Sequence, residues 1–215
     1  MPFIKRGAAT SVPDSDADNP ASQIERLNSA DAEIRWAAAR ALGGQAHAVP
    51  ALAAALAIEK VQRIREAIMT ALMRVGNEAS VMALLPYIRS QDAGQRATAI
   101  EALQALPSAI MPFMPALLGD AETDVRILAT ELARNMEAND ATRVLCKLID
   151  GESHPNVCAA AIDVLAEVGT RDAIPTLKAC AERFAGTPFL PFAVSTTIAR
   201  ISDTQGQFRN GTVGS

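Results

Sequence analysis

The stretch Ile34-Arg35-Trp36-Ala37-Ala38-Ala39-Arg40-Ala41-Leu42-Gly43 decides the fold, because its skeleton returns along the chain. It returns as Ile64-Arg65 … Ala71-Leu72, as Arg96 … Ala99 … Ala102-Leu103 and as Val125-Arg126 … Ala129 … Leu132-Ala133. The arginines are 30, 31 and 30 residues apart, and a copy with Cys158 in the arginine slot follows 32 residues after Arg126. A fixed period of this size marks units that bury their apolar faces against one another.

Within each copy the apolar residues fall at helical spacing, as in Ile64, Ile68, Ala71, Leu72 and Val75. No segment alternates apolar and polar residues over strand length, so the chain reads as all-α. Each unit is read as two helices, the second starting after a polar or glycine turn such as Gly43-Gly44, Gly76-Asn77, Asn139-Asp140 or Gly169-Thr170. Pro50, Pro112 and Pro175 mark the starts of second helices, since proline lacks only an N–H that the first turn leaves unpaired anyway. Pro86 and Pro115 lie deeper and are expected to bend their helices. Five helical hairpins are predicted, and Leu190 … Val194 … Ile198 … Ile201 reads as a degenerate capping repeat at the C-terminal end. The boundaries read from the pattern are a mobile tail over 1–22, a repeat domain over 23–203 and a second tail over 204–215.

These phrases, with the proline placement of Ala48-Val49-Pro50-Ala51-Leu52, resemble the HEAT-like repeat first named from phycobilisome lyases. The resemblance covers roughly 23–203 and implies a short right-handed α-α superhelix. It also implies that the recurring arginines form a ladder tying successive repeats together. Acidic residues stand four before the arginine in Asp31–Arg35, Asp92–Arg96 and Glu122–Arg126, a helical pairing distance. Asp31 and Asp92 also occupy N-cap positions. Arg65 is assigned to the same ladder.

Composition narrows the function classes. The hydrophobic content of 49% with only 4% aromatic residues predicts an aliphatic, alanine-rich core. A net charge of −4 argues against a protein that tracks nucleic-acid backbone. No apolar run reaches membrane-spanning length, and the start carries no signal-peptide pattern, so a cytoplasmic protein with no membrane partner is expected. Cys146, Cys158 and Cys180 lack CxxC spacing, which fits free thiols in a reducing compartment. Only two histidines occur, His47 and His154, and no His-Glu dipeptide, phosphate loop or nucleophile elbow is present. Neither a metal nor another cofactor is expected. The six central methionines, Met69, Met73, Met82, Met111, Met114 and Met136, read as core filling, and Asp163 with Glu167 as a solvated carboxylate pair.

The reading favoured by the residues is therefore a non-catalytic scaffold or adaptor that binds a protein domain or peptide, as in bacterial regulation or assembly. Trp36, in a slot held elsewhere by Glu66, Ala97, Ile127 and Ala159, is the candidate anchor, with Arg63, Arg89 and Arg143 as polar contacts. The alternative implied by the resemblance is a phycobilin-lyase-like enzyme, or lyase subunit, acting on a tetrapyrrole–cysteine bond.

Overall fold

The computed structural model describes residues 19–210, with side chains as far as 203. Of the expected tails over 1–22 and 204–215, residues 1–18 and 211–215 lie outside the described residues, while the first helix already begins at Pro20 and the last runs on to Asn210. Thirteen α-helices run through the described residues, with short 3-10 turns between some of them and no strand. α1 (Pro20–Arg26) is capped by Asn19 and packs on α2 (Ala32–Ala41). The remaining helices are α3 (Val49–Ile58), α4 (Gln62–Val75), α5 (Glu78–Leu84), α6 (Ala93–Gln104), α7 (Pro107–Ile110), α8 (Met114–Leu118), α9 (Thr123–Leu132), α10 (Ala138–Gly151), α11 (Pro155–Val168), α12 (Ile174–Arg183) and α13 (Phe189–Asn210).

Two rows result. The first helices stack in the order α2, α4, α6, α9, α11, α13, and the second in the order α3, α5, α7–α8, α10, α12. The repeated phrase explains the first row. Three residues after the arginine slot stand Ala38, Ile68, Ala99, Ala129 and Ala161, all fully buried. Four further on stand Leu42, Leu72, Leu103, Ala133 and Leu165, also fully buried. Small residues at the crossing let neighbouring axes approach, and the leucines fill the space between rows. α13 buries Leu190, Val194, Thr197 and Ile201 against the last unit, so the capping element is one long helix in the first row. No proline interrupts it after Pro191, and it extends past 203.

The prolines act where the sequence placed them, with two differences. The first is Pro112, which lies in the 3-10 turn Met111–Phe113 after α7 and does not open its second helix, which starts at Pro107. Pro50 and Pro175 open α3 and α12. Pro86 and Pro115 divide their helices rather than bending them: α5 gives way to a 3-10 turn over Leu85–Arg89, and α8 starts afresh after a 3-10 turn over Met111–Phe113. The methionines are mixed in role, with Met69 and Met114 buried and Met82 exposed.

Gly76 ends α4 at φ +68°, a left-handed conformation that costs a residue with a Cβ about 1–2 kcal/mol. Gly76→Ala should therefore lower stability by about 1 kcal/mol in urea unfolding, whereas an unchanged midpoint would show that the turn relaxes freely.

Candidate functional site

The arginine slot is the frame on which the site is built. Arg35 Nη1 donates to the carbonyl of Ser29 at 2.9 Å, Arg96 Nη1 to Ser90 at 2.7 Å and Arg126 Nη1 to Asp120 at 2.8 Å. Each of these carbonyls lies six residues before its arginine. The free edge of the guanidinium then reaches forward into the next repeat. Arg35 Nε meets Glu59 Oε2 at 2.7 Å, Arg65 Nη2 meets Asp92 Oδ2 at 3.1 Å and Arg126 Nε meets Glu152 Oε2 at 2.7 Å.

This geometry corrects the expected partners. Asp31 and Asp92 are N-caps in extended conformation, so their carboxylates bend onto backbone N–H groups of Glu33 and Gly94 instead of lying along the helix toward Arg35 and Arg96. Glu122 caps nothing with its side chain and stands 3.5 Å from Arg89. The partners missed were Glu59 and Glu152. Their signal was an acidic residue six before the slot of the following repeat, a position also held by Asp120.

In the fifth copy the Cys158 Sγ donates to the same carbonyl position, Glu152 O, at 3.8 Å. Arg183 from α12 then supplies the cation, bonding the carbonyls of Ile149 and Asp150 with Nη2 4.0 Å from Cys158 Sγ. Cys180 lies beside Cys158. The hydrogen bond between them, outweighing burial, holds the Cys180 thiol below its ordinary value, and the same bond together with burial pushes Cys158 up. Burial raises Cys146. His154 is the N-cap of α11, its Nδ1 accepting from Asn156 N at 3.3 Å. Among the described residues no group of three or more His, Cys, Asp or Glu side chains is placed to hold a metal ion. Asp163 and Glu167 are not simply solvated, because Arg134 bridges both, with Glu131 as a third partner.

Beside the Arg126–Glu152 pair the second row opens into a cleft of about 440 Å³. It forms where the short α8 ends at Leu118 and Gly119 while α10 continues to Gly151. Pro115 and Leu118 make one wall, and Val144 and Leu148 of α10 make the other. Arg143 and Lys147, one helical turn apart on α10, stand exposed at its rim. Arg143 Nη2 bonds Asp140 Oδ1 at 2.7 Å, while Lys147 makes no ion pair among the described residues. Asp120 closes one end. Arg89 and the N–H of Glu122 hold its pKa below the ordinary carboxylate range, so it is an anion and not a proton donor at neutral pH.

The four expected contact residues do not form one surface. Arg143 lines this cleft. Arg89 is ion-paired with Asp120 and so joins repeats to each other. Trp36 and Arg63 share a separate groove between α2 and α4.

Known proteins provide a frame for this geometry. A family model described as HEAT repeats matches residues 21–104 and 110–184. The bilin biosynthesis protein PecE of Mastigocladus laminosus is 32% identical over 160 residues, which is 72% of this chain and 58% of that protein. The chain thus spans less than two thirds of that relative's length. Among solved structures, an archaeal HEAT-like repeats protein from Thermococcus onnurineus NA1 aligns over 86% of this chain and 87% of its own, with a TM-score of 0.51 and 14% identity. That match shows a shared fold. The complex of CpcE and CpcF of phycocyanin lyase from Nostoc sp. PCC7120 aligns over 93% of this chain and 100% of that chain, with a TM-score of 0.39 and 18% identity. The kinship with a bilin biosynthesis protein overturns the expectation that the chain is not an enzyme. That expectation rested on the lack of a recognisable catalytic constellation, and a shared fold neither carries nor excludes an activity.

Proposed function

The chain belongs to the HEAT-repeat family, and from that premise we propose that it is a bilin-processing protein of the phycobilin lyase type. It holds a linear tetrapyrrole and acts on the bond between that pigment and a cysteine of an acceptor protein. The observation that carries this reading is the 32% identity to a bilin biosynthesis protein over most of the chain. The cleft between α8 and α10 is its chemical complement. Apolar walls from Pro115, Leu118, Val144 and Leu148 suit pyrrole rings, and Arg143 and Lys147 suit the pigment's carboxylates.

Addition of the acceptor thiol across an exocyclic C=C of the pigment forms a C–S bond and moves one proton from sulfur to carbon, with no oxidant or reductant. The chain's contribution is to bind and orient. The cations fix the carboxylates, and the walls exclude water from the reacting carbon.

The test is to mix the protein with a free bilin and follow visible absorbance, then to add a cysteine-bearing acceptor. A saturable spectral shift and faster formation of the thioether are expected. Arg143→Ala with Lys147→Ala should weaken the pigment about tenfold or more, with the melting temperature unchanged because both side chains are exposed. No spectral change at any pigment concentration sinks the reading. A shift that the double variant retains removes this cleft from it.

A further inference from the structure

The groove between α2 and α4 differs in chemistry from the cleft between α8 and α10. Trp36 is the chain's single tryptophan and is half-buried there. The Arg40 guanidinium lies 4.6 Å from its ring centroid and the Arg63 guanidinium 5.2 Å. Such placement holds the indole in one orientation and keeps both cations near the surface. Arg74, from the last turn of α4, borders the same groove of about 230 Å³, whose floor is Ala67, Thr70 and Ala71.

The charges are only partly matched. Arg63 pairs with Glu33, and Glu66 accepts from Gln62 Nε2 at 2.9 Å. Among the described residues neither Arg40 nor Arg74 forms an ion pair. Two exposed guanidiniums that form no ion pair, beside an aromatic face and small apolar residues and against a single lining carboxylate, Glu66, stand out in a chain of net charge −4. Stacking alone explains Ala67 and Ala71, but it gives no reason for arginines to converge on one indole.

We propose that this groove docks an acidic segment of a partner protein. Carboxylates of the segment meet Arg40 and Arg74, and an aliphatic side chain between them lies on Trp36 and Ala67. Charge complementarity selects the occupant. A neutral helix would leave the two cations desolvated and unpaired, and a small inorganic anion would leave the apolar floor uncovered. The inference does not depend on the bilin reading, since it concerns other residues on the other helix row.

Trp36 fluorescence reads the site directly, because no other tryptophan contributes. The full chain is titrated with the peptide amide Asp-Glu-Leu-Glu-Asp, with its uncharged counterpart Asn-Gln-Leu-Gln-Asn and with inorganic phosphate. A saturable change in emission with the acidic peptide is expected, weakening as salt is raised. Arg74→Gln and Arg40→Gln should each weaken it about tenfold. Circular dichroism should stay unchanged in both variants, since both side chains are exposed. No change with the acidic peptide overturns the proposal. So does an equal response to the uncharged peptide or to phosphate, and so does full binding by both arginine variants.

Discussion

Leu145→Ala is expected to destabilise the protein by about 3 kcal/mol, lowering the melting temperature by about 6–12 °C. Leu145 is fully buried on α10, which packs against α8, α11 and α12 and so joins the third, fourth and fifth units. Removing its isobutyl group loses the burial energy of about three methylene-sized groups and leaves a void. Ala141, one turn earlier on the same buried face of α10, has no rotatable atoms to move into the void. In a stacked array the loss also acts on cooperativity. Each unit is stabilised mainly through its interfaces, so a weak middle unit uncouples the two ends. Urea unfolding followed by circular dichroism should then broaden, with a smaller apparent m-value than the wild type. Met82→Ala serves as the comparison, since Met82 is 63% exposed and its truncation should be close to neutral. A loss below about 1 kcal/mol at Leu145 would mean that the helix rows slide to fill the space.

The contrast between these two positions also shows what could be read from the residues. The period, the alanines three after the arginine slot and the leucines seven after it carry the stacking, and all three are local patterns that a single sequence displays. The ladder was only half visible. Arg35, Arg65 and Arg126 could be picked out, but their partners were sought on the same helix. Capping competes for Asp31 and Asp92, and the carboxylates Glu59 and Glu152 lie 24 and 26 residues ahead of their arginines. The cleft was not legible at all. It exists because α8 is short and α10 is long, and because Leu118 and Lys147, far apart in sequence, face one another across the stacked units. Lys147 and Arg74 bear no mark in the sequence that separates them from other surface cations. Trp36 did carry such a mark, as the single large aromatic in a slot otherwise filled by smaller side chains.

Arg126→Ala is expected to cost about 2 kcal/mol at pH 7, and the pH dependence of that loss identifies its cause. Glu152 has a side chain only 6% exposed. Burial alone would raise its pKa, yet the hydrogen bond from Arg126 and the N–H groups of His154 and Ser153 together bring it below the ordinary value. In the wild type the carboxylate is therefore more acidic folded than unfolded. It contributes stability above the unfolded value of about 4.3, and that stability is lost as the pH falls through the lower folded value. Without Arg126 burial is opposed only by backbone N–H groups, and the folded pKa rises. The variant then gains from protonation as the pH falls, while the wild type loses. The gap between them should be widest near neutrality and should close below about pH 4. Arg126→Lys should fall between the two, because an ammonium cannot donate to both oxygens of Glu152 and to the Asp120 carbonyl in the same planar arrangement. If Arg126 acted only through its aliphatic stem, the loss would be the same at every pH. Adding Glu152→Met to an Arg126→Met chain would then restore nothing, whereas relief of a stranded carboxylate predicts that the second methionine recovers most of the deficit.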